Sequence, residues 1–252
     1  MKNNEKLATY RAKQDLIAKR KLNGPRDNKL SLLVAAGALV LAFVGQTIYF
    51  SFGPGATSAS EETVTEPTES AEPAENSESV PSPDLAEGRT WNGSMNLAGS
   101  EIGFELDGAA APQAVANFVS LAQAGFFENV SCHRLTTEGI YVLQCGDPSG
   151  DGTGGPGYNW GPIENAPEAD LYEEGVIAMA RRGGDGNSMG SQFFIVYQNS
   201  TIPSDSAGGY TVMGRLTSGL DSVKAIAGKG TSNGTSDGAP LEPVVMSGIS
   251  VE

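Results

Sequence analysis

The sequence predicts a mostly β domain, either a strand-rich barrel or a sandwich with two α-helices, over residues 88–252 of the 252-residue chain. Three observations support this prediction. Short runs rich in β-forming residues alternate with glycine-containing turns, and two other stretches have helical spacing. The residues before about 88 show neither pattern, so we place the single globular domain after them.

Seven runs have the composition of antiparallel strands, because each is rich in β-branched or aromatic residues and is bounded by glycine or polar residues. In chain order these runs are TWNGSMNLAG (90–99), SEIGFELDG (100–108), NVSCHRLT (129–136), IYVLQCGD (140–147), GVIAMARR (175–182), SQFFIVYQ (191–198) and YTVMGRL (210–216). Closely spaced short strands of this kind are typical of barrels and sandwiches.

Two stretches have helical spacing instead. Residues 111–125 begin with Pro112, carry apolar side chains three or four positions apart, and end at Gly125. Residues 218–230 repeat this pattern and have Gly228 as their stop. The sequence therefore predicts two helices to accompany the strands.

The N-terminal part of the chain predicts a membrane anchor. Residues 1–29 form a basic head that holds nine of the sixteen Lys and Arg residues and only three acidic ones. Residues 30–52, LSLLVAAGALVLAFVGQTIYFSF, have no charged side chain, and as a helix these 23 residues would extend ~34 Å, enough to cross a hydrocarbon core of ~30 Å. A cleavable signal peptide is the competing interpretation, but its head and apolar core are both shorter than these. We therefore predict a single-pass transmembrane helix.

The charge distribution also predicts the topology. Basic flanks stay in the cytoplasm, so the chain after residue 52 should face outward from the cell membrane, as in a bacterial envelope protein. Residues 53–87 are mostly Ser, Thr, Pro, Ala and Glu, and we expect them to be a disordered acidic linker. The chain after residue 29 has twenty-seven acids against seven bases, which argues against a nucleic acid partner.

Three familiar chemistries fit the sequence poorly. GDGTGG (150–155) matches G-x-G-x-x-G, but Pro156 and Gly157 follow it, so no helix can begin there to meet a dinucleotide. One histidine and two cysteines do not supply the ligands of a zinc site, and we expect neither a metal nor a cofactor. Cys132 and His133 are adjacent, and in a strand they would point to opposite faces, which disfavours a Cys-His hydrolase.

Five blocks, in order, resemble the cyclophilin family of peptidyl-prolyl isomerases. They are NFVSLAQAGFFENVSCHRL (117–135), LQCGDPSGDGTGGPGY (143–158), GVIAMA (175–180), GSQFFIVY (190–197) and YTVMGRLTSGLDSV (210–223). With the segments between them they cover nearly all of the outer domain. The resemblance implies a closed eight-stranded antiparallel β-barrel capped by two α-helices.

The resemblance also implies an active site. The family's catalytic arginine, in an F-H-R motif, corresponds to Arg134, and we expect its neighbour His133 to be structural. An always-charged, forked guanidinium could favour the twisted state of an X-Pro amide, which requires no bond cleavage. The corresponding substrate-binding residues are Tyr141, Val142, Gln144, Ala180, Gln192, Phe194 and Tyr210, with the placement of Tyr141 and Val142 uncertain by one position.

The chain departs from the family pattern at three informative positions. The phenylalanine of F-H-R is Cys132, and one of the family's consecutive glycines is Cys145. Because these positions end two strands that the family pairs antiparallel, we hypothesise a disulfide between them, beneath the catalytic face. Arg181 replaces the family's asparagine after Ala180, and the adjacent bases Arg181 and Arg182 should favour acidic residues in a client.

The resemblance implies a peptidyl-prolyl cis-trans isomerase that assists the folding of secreted or surface proteins, whose partners are proline-containing polypeptides. We expect a monomer held to the membrane by its N-terminal helix. The alternative is a cyclophilin-like chaperone module that binds proline-containing segments with little or no isomerase activity.

Overall fold

The computed structural model describes residues 76–252. The predicted basic head, the predicted transmembrane segment 30–52 and residues 53–75 of the predicted linker lie outside the described residues. Within residues 76–252, no helix combines the length and the apolar character that crossing a bilayer requires.

The described chain contains one short 3₁₀ helix, two α-helices and eleven strands. The 3₁₀ helix is Pro83–Ala86, and the α-helices are α1 (Pro112–Gln123) and α2 (Leu220–Ala227). The strands are β1 (Thr90–Leu97), β2 (Ser100–Asp107), β3 (Arg134–Thr136), β4 (Val142–Cys145), β5 (Leu171–Tyr172), β6 (Val176–Met179), β7 (Phe193–Val196), β8 (Ser200–Thr201), β9 (Val212–Leu216), β10 (Asp237–Gly238) and β11 (Met246–Val251). Both predicted helices and all seven predicted strand runs are confirmed.

Nine strands form one curled antiparallel sheet in the order β10-β3-β4-β7-β6-β9-β2-β1-β11, and β5 pairs separately with β8. The prediction of a closed eight-stranded barrel is therefore wrong, because the edge strands β10 and β11 do not pair with each other. Strand β3 has only three residues, and the segments that precede β3 and β11 are joined only by an isolated bridge, Ser131 to Val245, with three backbone hydrogen bonds around it. That bridge replaces the continuous ladder that would close the barrel.

Helix α1 packs its apolar face against the concave side of the sheet. Phe118 on this helix is 2% exposed, and its ring centroid lies 5.7 Å from that of Phe104, 5.1 Å from Phe127 and 5.5 Å from Phe193. Edge-to-face and stacked aromatic contacts at these distances add to the stabilisation from buried area. The predicted periodicity of this stretch therefore reflects a real buried face.

The carboxylate of Glu164 caps the start of α1 from a distant loop. The preceding residue, Ala111, has no side chain that could cap, and Pro112 occupies the first turn. Glu164 accepts the backbone N–H groups of Gln113 and Ala114, both at 3.0 Å. These bonds lower the pKa of Glu164, but burial raises it by more, so its pKa lies above the usual value.

The packed chain begins earlier than the predicted domain boundary at residue 88. Asn76 donates from Nδ2 to the carbonyl oxygen of Gly161 at 2.8 Å and accepts the Gly161 N–H at 3.0 Å. The carbonyl oxygen of Pro81 accepts a bond from Gln113 of α1, and Ala86 is fully buried. These contacts correct the prediction for residues 76–87, which form a strap over α1.

Candidate active site

The register of the sheet places predicted site residues in two rows across neighbouring strands. One row contains Arg134, Gln144 and Phe194, and the other contains Gln192 and Ala180. Arg134 on β3 pairs with Gln144 on β4, Gln144 pairs with Phe194 on β7, and Phe194 pairs with Ala178 on β6. Gln192 lies two positions before Phe194, and it accepts the N–H of Ala180 at its carbonyl oxygen at 2.9 Å. Side chains alternate between the two faces of the sheet along each strand. Residues that pair across neighbouring strands therefore share one face, and so do residues two positions apart within a strand.

Beside this row lies an apolar cluster, which we call the apolar pocket. Phe194, Val142 and Ala178 belong to a small buried cluster that is separate from the main core, and Ala180 and Tyr210 pack against it. The rings of Phe194 and Tyr210 meet edge to face with centroids 5.6 Å apart. Ala180 and Tyr210 are partly exposed, so the cluster offers an apolar surface against which a proline ring can pack.

The structure separates the two uncertain pocket positions. Val142 lies in the cluster that contains Phe194, whereas Tyr141 packs against the main core. The Tyr141 ring contacts the ring of Tyr197, with centroids 5.9 Å apart. The structure therefore places Tyr141 apart from the other predicted pocket residues, next to the main core. Ile140, which the sequence analysis did not select, packs against the pocket cluster instead.

A chain of hydrogen bonds runs along the polar side of the pocket. Arg134 Nη1 donates to Gln144 Oε1 at 3.4 Å, and Gln144 Nε2 donates to Gln192 Oε1 at 2.9 Å. Gln192 Nε2 then donates to the carbonyl oxygens of Gly152 and Gly154 at 3.0 and 2.9 Å. These contacts fix which end of each amide faces the next group, so the guanidinium and both glutamines act as one oriented set.

The glycine-rich segment 150–155 is a tight loop organised by a buried carboxylate. Asp147 is fully buried and accepts the backbone N–H groups of Ser149 at 2.7 Å and of Asp151 at 3.0 Å. No helix begins in this segment. The loop instead forms one side of a cleft of about 660 Å³ that Gln144 and Gln192 also line.

Asp237 is a site residue that the sequence analysis did not find. Its carboxylate forms a two-pronged bond with Arg134, in which Nε donates to Oδ1 at 2.9 Å and Nη2 donates to Oδ2 at 2.7 Å. This hydrogen bond raises the pKa of Arg134 and lowers that of Asp237. Asp237 lies on β10, which pairs with β3, but it is 103 residues away in sequence, so no local pattern links it to Arg134.

We expect Asp237→Ala to lower the maximal rate of X-Pro isomerisation about tenfold, because the freed guanidinium would sample other orientations. KM should change little, since Asp237 does not line the apolar pocket. Exchange NMR on the full chain with a saturating X-Pro peptide measures this rate. Glu105→Ala is the matched control, because it removes the carboxylate of another ion pair, with Arg215 at 2.7 Å. Equal rates for the wild type and Asp237→Ala would contradict the assignment.

The predicted disulfide is confirmed, because Cys132 and Cys145 are bonded to each other. Cys132 lies two residues before Arg134, and Cys145 directly follows Gln144 at the end of β4. Both cysteines are buried, at 3% and 0% exposed. The disulfide therefore ties together the two chain segments that carry the guanidinium and its amide partner.

His133 is placed beneath the loop and does not reach the reacting groups. Both of its ring nitrogens are buried, and neither has a hydrogen-bond partner within residues 76–252. The nearest part of the loop is Gly152, where an added Cβ would lie 3.8 Å from Nε2. Burial lowers the pKa of His133, and this effect outweighs the nearby carboxylates of Asp147 and Asp151, which raise it. A neutral, packed imidazole fits the structural role expected for this residue.

The lowered pKa predicts how stability depends on pH. As the pH decreases through 6.5, the ordinary pKa of histidine, the unfolded chain binds a proton at His133 before the folded chain does, so stability should fall as the pH decreases through this value. His133 is the only histidine, so His133→Gln should flatten this part of the profile. Urea unfolding of both proteins at several pH values measures the difference. Parallel profiles would show that His133 does not supply this dependence.

Arg181 and Arg182 both line the cleft, but neither presents an unpaired charge to a client. The side chain of Arg181 is 0% exposed and is paired with Asp205, so its charge is not presented to a client. Arg182 is 68% exposed on its side chain, but its Nη2 is 3.2 Å from the carboxylate of Asp185. The two predicted bases therefore lie beside the cleft, but each is paired with a carboxylate, which weakens the predicted preference for acidic residues in a client.

The same pairing extends to all the bases of residues 76–252. Each of the seven Lys and Arg residues contacts a different carboxylate, at N···O distances between 2.5 and 3.2 Å. These residues include twenty-one acids, so fourteen carboxylates have no basic partner in this part of the chain. The described surface is therefore strongly anionic.

Comparisons with known proteins agree with this geometry. The family described as "Cyclophilin type peptidyl-prolyl cis-trans isomerase/CLD" matches residues 94–251. The chain is 41% identical over 175 residues to a probable peptidyl-prolyl cis-trans isomerase B of Mycobacterium leprae, which covers 65% of this chain and 57% of that protein. It is 42% identical over 127 residues to peptidyl-prolyl cis-trans isomerase B of Bacillus subtilis, which covers 50% of this chain and 82% of that protein. The chain thus spans only a little more than half the length of the mycobacterial relative.

Solved structures of cyclophilin-type isomerases are also similar to this chain. A crystal structure of a cyclophilin type peptidyl-prolyl cis-trans isomerase of Cryptosporidium parvum has a TM-score of 0.55 and 25% identity, and it covers 65% of this chain and 98% of that one. A structure of the same protein in the presence of the dipeptide Ala-Pro has a TM-score of 0.54 and 26% identity, with 64% and 98% coverage. The match over residues 94–251, together with the order of the site residues on the sheet, shows that this chain belongs to the cyclophilin-type peptidyl-prolyl cis-trans isomerase family.

Proposed function

We propose that this protein is a peptidyl-prolyl cis-trans isomerase that accelerates X-Pro isomerisation in secreted or surface polypeptides. The observation that carries the proposal is the position of Arg134 and its glutamine partners along one side of the apolar pocket that contains Phe194. An isomerase needs both parts, because the proline ring must be held while the amide on its nitrogen rotates.

The reaction sets modest chemical demands. An X-Pro amide rotates over a barrier of about 18–20 kcal/mol because twisting the bond removes its resonance. No bond is made or broken, so neither a nucleophile nor a metal is required. The twisted amide nitrogen is pyramidal and carries a lone pair, and a group that binds this state more strongly than the planar one lowers the barrier.

Arg134 is the group that can provide this difference. Asp237 occupies Nε and Nη2, which leaves Nη1 as the guanidinium corner directed toward Gln144 and the pocket side. A client proline packed against the cluster of Phe194 and Tyr210 would place its amide nitrogen next to that corner. The charge would then stabilise the lone pair of the twisted state, which is a preorganised electrostatic effect.

Gln144 and Gln192 would hold the flanking backbone of the client. Their mutual hydrogen bond and the bonds from Gln192 to the loop carbonyls leave the amides in fixed orientations beside the cleft. A fixed peptide backbone on one side of the bond makes the other side the part that rotates. The arrangement thus supports isomerisation rather than tight binding of one isomer.

The location of the clients is part of the proposal and depends on the sequence. The basic residues 1–29 and the apolar residues 30–52 favour a membrane anchor with the catalytic domain outside. Unfolded chains emerge there, and X-Pro isomerisation, which takes tens of seconds uncatalysed, can limit their folding. Protease added to intact cells should remove residues 76–252 if this topology is correct, and protection of the domain would refute it.

The alternative is a module that binds proline-containing segments without useful turnover. One contact favours it, since the Asp237 carboxylate reduces the net positive charge at Arg134. The full chain and an X-Pro peptide distinguish the two functions in one NMR experiment. Faster cis-trans exchange of the peptide supports the isomerase, whereas peptide binding without faster exchange supports the binding module.

A further inference from the structure

The side chain of Arg181 makes a saturated set of contacts directly behind the proline pocket. Nη1 and Nη2 donate to the two carboxylate oxygens of Asp205 at 2.9 and 3.0 Å, and Nε donates to the carbonyl oxygen of Gly209 at 2.9 Å. Nη1 also donates to the carbonyl oxygen of Arg182 at 3.1 Å, and Nη2 donates to that of Gly208. A guanidinium has five N–H donors, so none is left for a substrate.

These contacts join two loops. Asp205, besides binding Arg181, accepts the backbone N–H groups of Gly184 and Ala207, both at 2.8 Å. The pKa of Asp205 is held far below its usual value, chiefly by the hydrogen bond from Arg181. Residues 205 and 208 also form a backbone bridge with each other. The loop that precedes Tyr210 is therefore fastened to the chain that leaves β6.

The guanidinium also lies over the aromatic wall of the pocket. Its Cζ is 4.7 Å from the ring centroid of Tyr210, a cation–π distance. The same ring also contacts Phe194, with centroids 5.6 Å apart and edge to face. The backbone N–H of Tyr210 donates to the hydroxyl of Tyr172 at 2.7 Å, so the main chain is held while Arg181 holds the ring.

From these contacts we infer that Arg181 is a positioning residue that sets the Tyr210 wall of the proline pocket and thereby the affinity for X-Pro segments. The inference rests on the proposed isomerase function, because it assigns the pocket to the proline ring. Arg181 itself does not touch the client. It acts through Tyr210, whose ring would contact the proline ring in the planar and twisted states alike.

A contact that binds the planar and the twisted amide equally strongly predicts a specific kinetic pattern. Loss of the Tyr210 wall should weaken binding of the ground state and the transition state equally, so KM rises while the rate at saturation stays the same. Arg181→Ala should raise KM and the peptide Kd about tenfold, because one apolar contact in a pocket is worth about that factor. Arg181→Lys keeps the charge but loses the forked geometry, and its effect should be intermediate.

NMR line-shape analysis of an X-Pro peptide with the full chain gives both Kd and the exchange rate at saturation. Arg215→Ala is the control, because it removes another ion-paired arginine, one that is 71% exposed on its side chain. A double-mutant cycle tests the route of the effect: in a Tyr210→Ala background, Arg181→Ala should change Kd less than twofold, since its target is gone. A general loss of structure would instead weaken binding in both backgrounds.

The outcomes separate the two proposals. If the wild type binds the peptide but does not accelerate exchange, the isomerase function fails, and the Kd values and the cycle still decide the role of Arg181. An unchanged Kd in Arg181→Ala, an effect on the saturated rate alone, or equal effects in both backgrounds would overturn the inference. If Arg181→Ala does not fold, Arg181→Lys with and without Tyr210→Ala provides the same cycle.

Discussion

Replacing Arg134 with alanine should lower the rate of X-Pro isomerisation at saturating peptide by about 10²–10³-fold, the loss typical of removing one preorganised charge-stabilising donor. The reason is that Nη1 of Arg134 is the positively charged group that the hydrogen-bond chain directs beside the pocket. Peptide affinity should change much less, because Phe194 and Tyr210 would still hold the proline ring. Exchange NMR of an X-Pro peptide with the full chain measures both quantities.

Two further variants make the Arg134 experiment specific. Arg134→Lys keeps the charge but cannot bond Asp237 and Gln144 together, so it should recover only a small part of the rate. Arg215→Ala should retain the wild-type rate, because this arginine pairs with Glu105 at 2.7 Å on β2, away from the row that carries Arg134. Rapid exchange in Arg134→Ala would exclude this residue as the catalytic group.

Removal of the disulfide should have the largest effect on stability. In the chain-entropy model, a link across thirteen residues of sequence contributes about 3 kcal/mol by restricting the unfolded chain. The double variant Cys132→Ala with Cys145→Ala should therefore lose about this much free energy of unfolding, and its Tm should fall by roughly 6–12 °C. Thermal and urea unfolding under oxidising conditions measure the loss.

Reduction provides the matching control for the disulfide. If the wild type is unfolded, reduced and refolded, its free energy of unfolding should fall toward that of the double variant. The same treatment should leave the free energy of unfolding of the double variant unchanged. Because Arg134 and Gln144 remain paired by their strands, the folded double variant should still isomerise the peptide. Free thiols at Cys132 and Cys145 in the untreated protein, detected by mass spectrometry, would contradict the bond.

Local sequence patterns were sufficient to predict most elements of the fold. Pro112 and Gly125 bound a helix with a consistent buried face, and the seven β-rich runs all contain observed strands. Strand β11 was not predicted, because MSGISV has two serines and a glycine among its six residues and thus little apolar alternation. Its place in the sheet comes from pairing with β1, a contact that no local pattern records.

The proposed catalytic residue and its glutamine partners could be predicted only through the resemblance, and the groups that support them could not be predicted at all. Arg134 and Gln144 lie in recognisable motifs, but Asp237 follows a loop that has no distinctive composition. Arg181 was expected to favour acidic residues in a client, because it directly follows Ala180, which the resemblance places in the pocket. The structure buries it because Asp205, twenty-four positions later, comes within 2.9 Å. Long-range partners of this kind decide whether a charge faces the solvent.

The pairing of every base in residues 76–252 has a consequence for how a client reaches the enzyme. With all seven cations neutralised locally, the fourteen remaining carboxylates dominate the potential beyond the first layers of water. A client segment rich in lysine or arginine would then meet the domain more often than an acidic one, through a faster encounter rate. This advantage acts over a Debye length of about 8 Å at physiological ionic strength and shrinks as salt is added. The domain would therefore select its clients partly during diffusion, before any proline enters the pocket.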